Sequence, residues 1–372
     1  MILNKFREAE FMWDRGLLVA ALLLAILSVV AMWSAGSTVS ARLPVRHAVW
    51  AAIGVALFLG VAQVSYRRWM DLAVVVYGLT VATLLIVPMA GAMRLGATRW
   101  LSLFGFSVQP SELAKLSTVW LLARYLAGQP VPLTGRVIAT SLLLVGPPAA
   151  LIFLQPDLGS ASIFAAIWLA MVWVAGAPRR TLLGLLGAFL ALVPVGWHAL
   201  KAYQRTRLMA FLDPYADPLG AGFSIIQSTI AIGSGQWWGR GWRAGTQSRL
   251  NFLPERHSDF IFAVIGEEWG LVGGVLMLVL FAVVVTRALR IAQRSADPQA
   301  ALAATGIAVW LGYQSVVNVG MVMGLLPIVG VPLPLVSYGG SSMVMVWVAI
   351  GLLQNIHSAS RNGYAACSGD AE

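Results

Sequence analysis

Apolar residues run in blocks of about 20 along most of the chain, the length that crosses a bilayer as an α-helix. The blocks fall near 16–34, 47–65, 70–90, 111–127, 137–154, 158–176, 181–198, 260–286, 300–323 and 340–356. Short polar segments separate them. A lipid interior leaves backbone groups no water to bond, so such blocks must be helical. The pattern predicts an all-α polytopic integral membrane protein with about ten transmembrane helices. One polar insertion, residues 199–258, breaks the rhythm between the seventh and eighth blocks. The chain reads as one transmembrane domain, 1–372, with that large loop inside it and a short tail over 357–372.

Positive charge orients the helices. With the N-terminus inside, the cytoplasmic segments hold Lys5, Arg7, Arg15, Arg67, Arg68, Arg124, Arg136, Arg179, Arg180, Arg287, Arg290, Arg294 and Arg361. The short outer loops hold only Arg42, Arg46, Arg94 and Arg99. Both termini are therefore expected in the cytoplasm and the large loop outside. Small residues from Ser34 to Ala41 faintly resemble a signal-peptidase site. The flank before the first block also carries Glu8, Glu10 and Asp14, so that block is read as an uncleaved helix.

Composition narrows the classes. With 59% hydrophobic and 11% charged residues, an ordinary soluble domain is excluded. The net charge of +10 lies between apolar blocks, where topology needs it, and does not signal nucleic acid. A lone cysteine, Cys367, and scattered His47, His198, His257 and His357 give no zinc-type spacing and no metal site. The 15 tryptophans suit interfacial belts.

The topology gathers the polar motifs on the outer face. Gln109-Pro110-Ser111-Glu112 opens the fourth helix, with Lys115 one turn further. Glu112 can simply complement the helix dipole, and Lys115, three residues on, can neutralise it. Lys115 near Asp259 would instead hold that acid ionised. Gln155-Pro156-Asp157 opens the sixth helix, where Asp157 suits a cap. In the large loop, Phe223 to Ile232 has helix-like apolar spacing and is expected to lie at the interface. The glycine-rich run 233–245 lacks the Gly-Lys-Ser/Thr of a P-loop. Arg205, Arg207, Arg240, Arg243, Arg249 and Arg256 make the loop cationic. They fit either anionic headgroups or a phosphate group held by guanidinium forks. Glu255, Arg256, His257, Ser258 and Asp259 then crowd the mouth of the eighth block. Ser258 and Asp259 can cap that helix, yet a carboxylate entering lipid is costly without a partner or a task. Glu267 and Glu268 follow about two turns deeper and are expected to line a cavity or meet a cation. Val336 to Ser342 reads as a tight outer loop. No Ser-His-Asp or Cys-His arrangement is present, and the carboxylate, lysine and arginines suit deprotonation of a hydroxyl with departure of an anion.

These motifs resemble the SEDS family of cell-shape and division proteins over nearly the whole chain. The resemblance rests on Gly245-Thr246-Gln247-Ser248 and Phe252-Leu253-Pro254-Glu255-Arg256-His257-Ser258-Asp259-Phe260-Ile261-Phe262. Arg99-Trp100, Gln109 to Lys115, Gln155-Pro156-Asp157-Leu158-Gly159, Phe211-Leu212-Asp213-Pro214, Asp217-Pro218-Leu219-Gly220 and Ser337-Tyr338-Gly339-Gly340-Ser341 support it. Arg256, where the division branch usually has Ala, points to the RodA branch, and Ser258 stands where Thr is usual.

The resemblance implies a peptidoglycan glycosyltransferase. It would polymerise lipid II at the outer face of the cytoplasmic membrane during elongation, beside a class B penicillin-binding protein, a transpeptidase. Asp259, Lys115 and Glu112 become the catalytic candidates. Arg99, Arg205, Arg207, Arg256, His257, Gln155, Asp157 and Ser337 become the substrate-binding candidates. Asp259 would accept the proton of the acceptor 4-hydroxyl, while Lys115 and Glu112 keep it ionised and oriented. No cofactor is assigned, and a divalent cation could share the role of Lys115 and Glu112, though the sequence shows no cage for it. A lipid II flippase and a non-catalytic scaffold for the transpeptidase are the competing classes.

Overall fold

Each apolar block forms a helix in the computed structural model, which describes residues 12–369 apart from 37–39, 91, 95–96, 104–105 and 251. The order is α1 (Arg15–Ala35), α2 (Leu43–Gln63), a short α3 (Tyr66–Asp71), α4 (Ala73–Ala90), α5 (Pro110–Ala127), α6 (Gly135–Leu154), α7 (Leu158–Val174) and α8 (Arg179–Ala199). Within the polar insertion come α9 (Ala202–Leu212), α10 (Phe223–Gly235) and α11 (Thr246–Arg249). Then follow α12 (Ile261–Arg294), α13 (Pro298–Val322) and α14 (Gly340–Gly369). Lys5, Arg7 and the side chain of Cys367 lie outside the described residues.

Six of these helices are long and apolar enough to cross a membrane: α1, α2, α6, α12, α13 and the first part of α14. α4 and α7 are shorter apolar helices. α5 and α8 occupy the other two expected positions, and α5 carries Glu112, Lys115 and Arg124. One feature is not helical. β1 (Ala92–Arg94), β2 (Ala97–Leu103) and β3 (Phe106–Val108) form a small antiparallel sheet before α5. Chain pairing there satisfies the backbone without a helix.

The centre is α13 and α14, whose apolar windows are 72% and 78% buried against 28% for α6. α14 runs along α2, and α12 packs on α13 and α1. α13 also packs on α5 and α7. The fully buried Trp310 of α13 and Trp347 of α14 fill this middle. At the N-terminal end, Asp14 caps α1 by accepting from Leu17 N at 2.9 Å and pairs with Arg287 of α12 at 3.6 Å.

The expected uninterrupted eighth span is broken. Gly270 inside α12 has φ 65° and ψ −159°, a conformation only glycine holds easily. The break exposes backbone groups, and the loop after α10 takes them up. Arg240 N and Gly241 N donate to the carbonyls of Glu267 and Glu268 at 3.0 Å each. Leu271 N and Val272 N donate to the carbonyls of Gln236 and Trp237 at 2.8 and 3.2 Å. α10 itself rests its buried residues Ile225, Ser228 and Ala231 toward protein, packing on α12. The apolar face expected at a lipid interface is thus largely covered by this chain.

Candidate active site

The turn over 254–260 feeds α12. Sequence allowed Ser258 or Asp259 to cap that helix, but Phe260 takes the N-cap position and no side chain caps it. The Asp259 carboxylate is therefore not spent on the helix end. Among the described residues it makes no hydrogen bond and no ion pair. It is partly exposed at its mouth. A Cβ on Gly330 would stand 3.4 Å from its Oδ2, so the loop before α14 walls one side.

Enclosure by protein is the largest influence on this acid and pushes its pKa up to about 7. Glu255 and Asp157 push the same way. Arg207 and Arg99 oppose them. A base near neutrality is what proton abstraction at physiological pH requires.

Of the two readings of Lys115, the structure shows the pairing with Glu112. Its Nζ lies 2.7 Å from Glu112 Oε1 and 3.1 Å from Gln314 Oε1, and 4.9 Å from the Trp310 ring centroid. Glu112 is 1% and Lys115 0% exposed. The lysine neutralises Glu112, and the cations that hold down the Asp259 pKa are Arg207 and Arg99 instead. Glu112 Oε2 receives no hydrogen bond.

Arg99 reaches from β2 to the α6–α7 junction. Its guanidinium donates to the carbonyls of Gln155, at 2.9 Å, and Pro156, and sits 3.8 Å from Asp157 Oδ2. Asp157 caps α7 through Ser160 N at 3.0 Å. The Gln155 amide donates to Leu84 O at 2.9 Å. Gln155 and Asp157 thus act here as the frame of Arg99, with Asp157 also adding negative charge near Asp259. Arg205 and Arg207 lie on α9. Arg205 donates to His198 O at 2.8 Å, while Arg207 is exposed, 5.8 Å from the Tyr203 ring.

Two substrate-binding candidates are corrected. Arg256 is 3% exposed, and its guanidinium donates to Ala35 O at 3.0 Å and to Ser248 O. It clamps the end of α1 to α11. Burial lowers its pKa. Ser337 spends its hydroxyl on the backbone, accepting from Leu333 N at 2.7 Å and donating to Ser258 O at 2.5 Å. It fixes the loop before α14 to the Asp259 turn, as does Tyr338 N donating to His257 O at 2.9 Å. His257 is half-buried, with its ring 5.7 Å from Tyr338. Burial lowers its pKa despite nearby Glu255.

The deep acids also differ from expectation. Among the described residues Glu267 has no ion pair with a cation. Its carboxylate accepts from Gln247 N at 2.8 Å and Ser248 N at 3.2 Å, holding the start of α11. Glu268 accepts from the Ser34 hydroxyl. No group of three or more His, Cys, Asp or Glu that would hold a metal is found among the described residues.

Sequence reasoning missed Gln314 and Asn318. Both are fully buried on α13 and bond the site from behind. The available signal was two amides four apart, on one helix face, inside an otherwise apolar block.

The model of the cell cycle protein family of FtsW, RodA and SpoVE matches residues 12–362. The peptidoglycan glycosyltransferase MrdB of Escherichia coli K12 is 40% identical over 346 residues, 93% of each chain. A chain from a structure described as "Structural coordination of polymerization and crosslinking by a peptidoglycan synthase complex" superposes with a TM-score of 0.82. It is 38% identical, covering 94% of this chain and 98% of that one. The crystal structure of the rod shape determining protein RodA of Thermus thermophilus gives a TM-score of 0.70 at 30% identity, covering 94% and 97%.

Proposed function

The chain belongs to the cell cycle protein family of FtsW, RodA and SpoVE, and from that membership we propose that it polymerises lipid II into glycan strands with Asp259 as the base. It is a peptidoglycan glycosyltransferase of cell-wall synthesis and a multi-pass protein of the inner membrane. The finer reading concerns how and where.

The observation that carries it is the state of Asp259: open at its mouth, unpaired, and lifted to about 7 by its enclosure. Asp259 takes the proton from the acceptor 4-hydroxyl as that oxygen attacks the anomeric carbon of the donor. The C–O bond to undecaprenyl diphosphate breaks and the diphosphate leaves with the electron pair. The donor linkage is α and the product β, so a single inverting displacement suffices. Arg207 and Arg99, the cations in electrostatic reach of Asp259, neutralise the departing charge. The buried Lys115–Glu112 pair supports the floor of the site. The site opens on the outer face, as the arginine distribution argues. Residues 199–258 form the outer loop of a single transmembrane unit. The partner is a transpeptidase of the penicillin-binding class, as the likeness to a peptidoglycan synthase complex suggests.

The test mixes purified protein and its transpeptidase with labelled lipid II and resolves glycan chains on a gel. Wild type should make chains, and a folded, partner-bound Asp259→Ala variant should make none. Equal chains from both would remove Asp259 as the base. No chains from either, with substrate and partner competent, would remove the polymerase reading.

A further inference from the structure

Two buried amides stand one turn apart on α13, and each bonds both a residue of the site and the loop before α14. Asn318 Nδ2 donates to Asp259 O at 2.9 Å and to Val331 O at 2.7 Å. That uses both of its N–H bonds. Its Oδ1 is buried and receives none. The orientation of the amide is thereby fixed, because a flip would press Oδ1 against two carbonyl oxygens. Gln314 is just as constrained. Its Oε1 accepts from Lys115 Nζ at 3.1 Å and from Trp310 Nε1 at 2.7 Å, and its Nε2 donates to Pro332 O at 2.7 Å. Turned over, its NH2 would face an ammonium and an indole N–H.

Neighbouring carbonyls, Val331 and Pro332, are thus held by neighbouring turns of one rigid helix. The same helix holds the backbone of Asp259 above and the Lys115–Glu112 pair below. Two amides buried in an apolar block carry a desolvation cost, to which the unmatched Asn318 Oδ1 adds, and that cost needs a cause. Packing alone would be met by Leu or Met at both positions.

We propose that Asn318 is a positioning residue for Asp259, and that Gln314 holds Lys115 to the same frame. Asn318 fixes the height of the Asp259 backbone against α13 and against the loop that walls its carboxylate. The carboxylate, which has no side-chain partner of its own, keeps its place because its backbone is tied. The proposal rests on the reading of Asp259 as the base.

The test compares wild type with Asn318→Ala and Asn318→Ser, as full chains with the transpeptidase partner, using labelled lipid II. Asn318→Ala should lower kcat about 10- to 100-fold, the loss expected when a reacting group shifts by about 1 Å. KM for lipid II should stay within about twofold. Asn318→Ser, whose hydroxyl can still donate to one carbonyl, should recover part of the rate. It also stands in if the Ala variant fails to fold. A double-mutant cycle with Asp259→Glu separates positioning from mere support. Positioning gives a combined loss well short of the product of the single losses. Turnover within about twofold of wild type in folded Asn318→Ala, or losses that multiply independently of Asp259→Glu, would overturn the proposal. Failure of the polymerase reading looks different, because wild type itself then makes no chains. Failure of Asp259 as base also looks different, because Asp259→Ala then keeps its chains. Either of those results also withdraws the ground for Asn318.

Discussion

Lys115 Nζ and Glu112 Oε1 stand 2.7 Å apart with both side chains 1% exposed. A pair this deep is held by its geometry, and losing one member strands a charge in a low dielectric. Lys115→Met should therefore cost about 3–5 kcal/mol of stability. The double variant Lys115→Met, Glu112→Leu should cost less than Lys115→Met alone, since no unpaired charge remains. Thermal melting of the purified variants reads this, and a Lys115→Met protein melting like wild type would sink the idea.

Asp259 titrates near 7, so polymerisation should rise with pH through that value. Below the midpoint the rate should fall about tenfold per pH unit. Arg207 opposes the upward shift, so Arg207→Gln should move the midpoint to higher pH and raise KM for lipid II. Stability runs the other way. The folded-state pKa lies above the ordinary carboxylate value of 3.8, so the folded chain binds the extra proton between those two values. Stability is then lost as pH rises from about 4 to about 7. Asp259→Asn should melt higher than wild type at pH 8, by on the order of 2–4 kcal/mol, and the gain should vanish below about pH 4. A flat pH–rate profile between 6 and 8 would contradict the assignment.

The helices were legible because lipid enforces period and length on apolar blocks, and the charges near Asp259 stood out against them. What was not legible was who pairs with whom. Lys115 has two acids in plausible reach by sequence, and only packing shows that it meets Glu112 and Gln314. Arg256 looked like a phosphate ligand because nothing in a motif distinguishes an arginine that faces substrate from one that ties down two backbone carbonyls. Glu267 looked like a cation partner, yet backbone N–H groups of α11 satisfy it, and those leave no trace in residue type. The break at Gly270 was hidden for a similar reason. Glycine is common in membrane helices, and its φ is set by a loop some thirty residues upstream.

Arg256 and Arg207 should separate cleanly in kinetics. Arg256→Ala removes donors to Ala35 O and Ser248 O and leaves both carbonyls buried, a loss on the order of 2–4 kcal/mol. The protein that remains folded should keep its KM. Arg207→Ala should leave the melting point unchanged and raise KM, because its guanidinium is exposed and acts on the site through charge. Melting curves paired with KM for lipid II decide it. A raised KM in stable Arg256→Ala would restore it to the substrate site.

Gly270 links the loop after α10 to the half of α12 that begins just after Asp259. A side chain there meets two obstacles. Its φ of 65° with ψ −159° lies in a region only glycine occupies without strain. A Cβ would also stand 2.4 Å from Gly239 N and 2.7 Å from Trp237 O. Both obstacles are backbone, so neither can swing aside. Gly270→Ala must either push the loop off α12 or straighten the helix. Pushing the loop away strands the carbonyls of Glu267 and Glu268 that Arg240 N and Gly241 N now satisfy. Straightening redirects the half of α12 that begins just after Asp259. The expected cost is about 3 kcal/mol or more, with glycan synthesis lost in step. Gly184→Ala and Gly187→Ala in α8 are the matched controls, since nothing lies within 4 Å of a Cβ at either. These should be neutral or stabilise by about 0.5–1 kcal/mol. Limited proteolysis in the 236–249 segment distinguishes the two routes. New cleavage there in Gly270→Ala means that the loop has left the helix, whereas protection with lost activity means that the helix has straightened beneath it. Wild-type melting and wild-type activity in Gly270→Ala would show that the break does not hold the base in place.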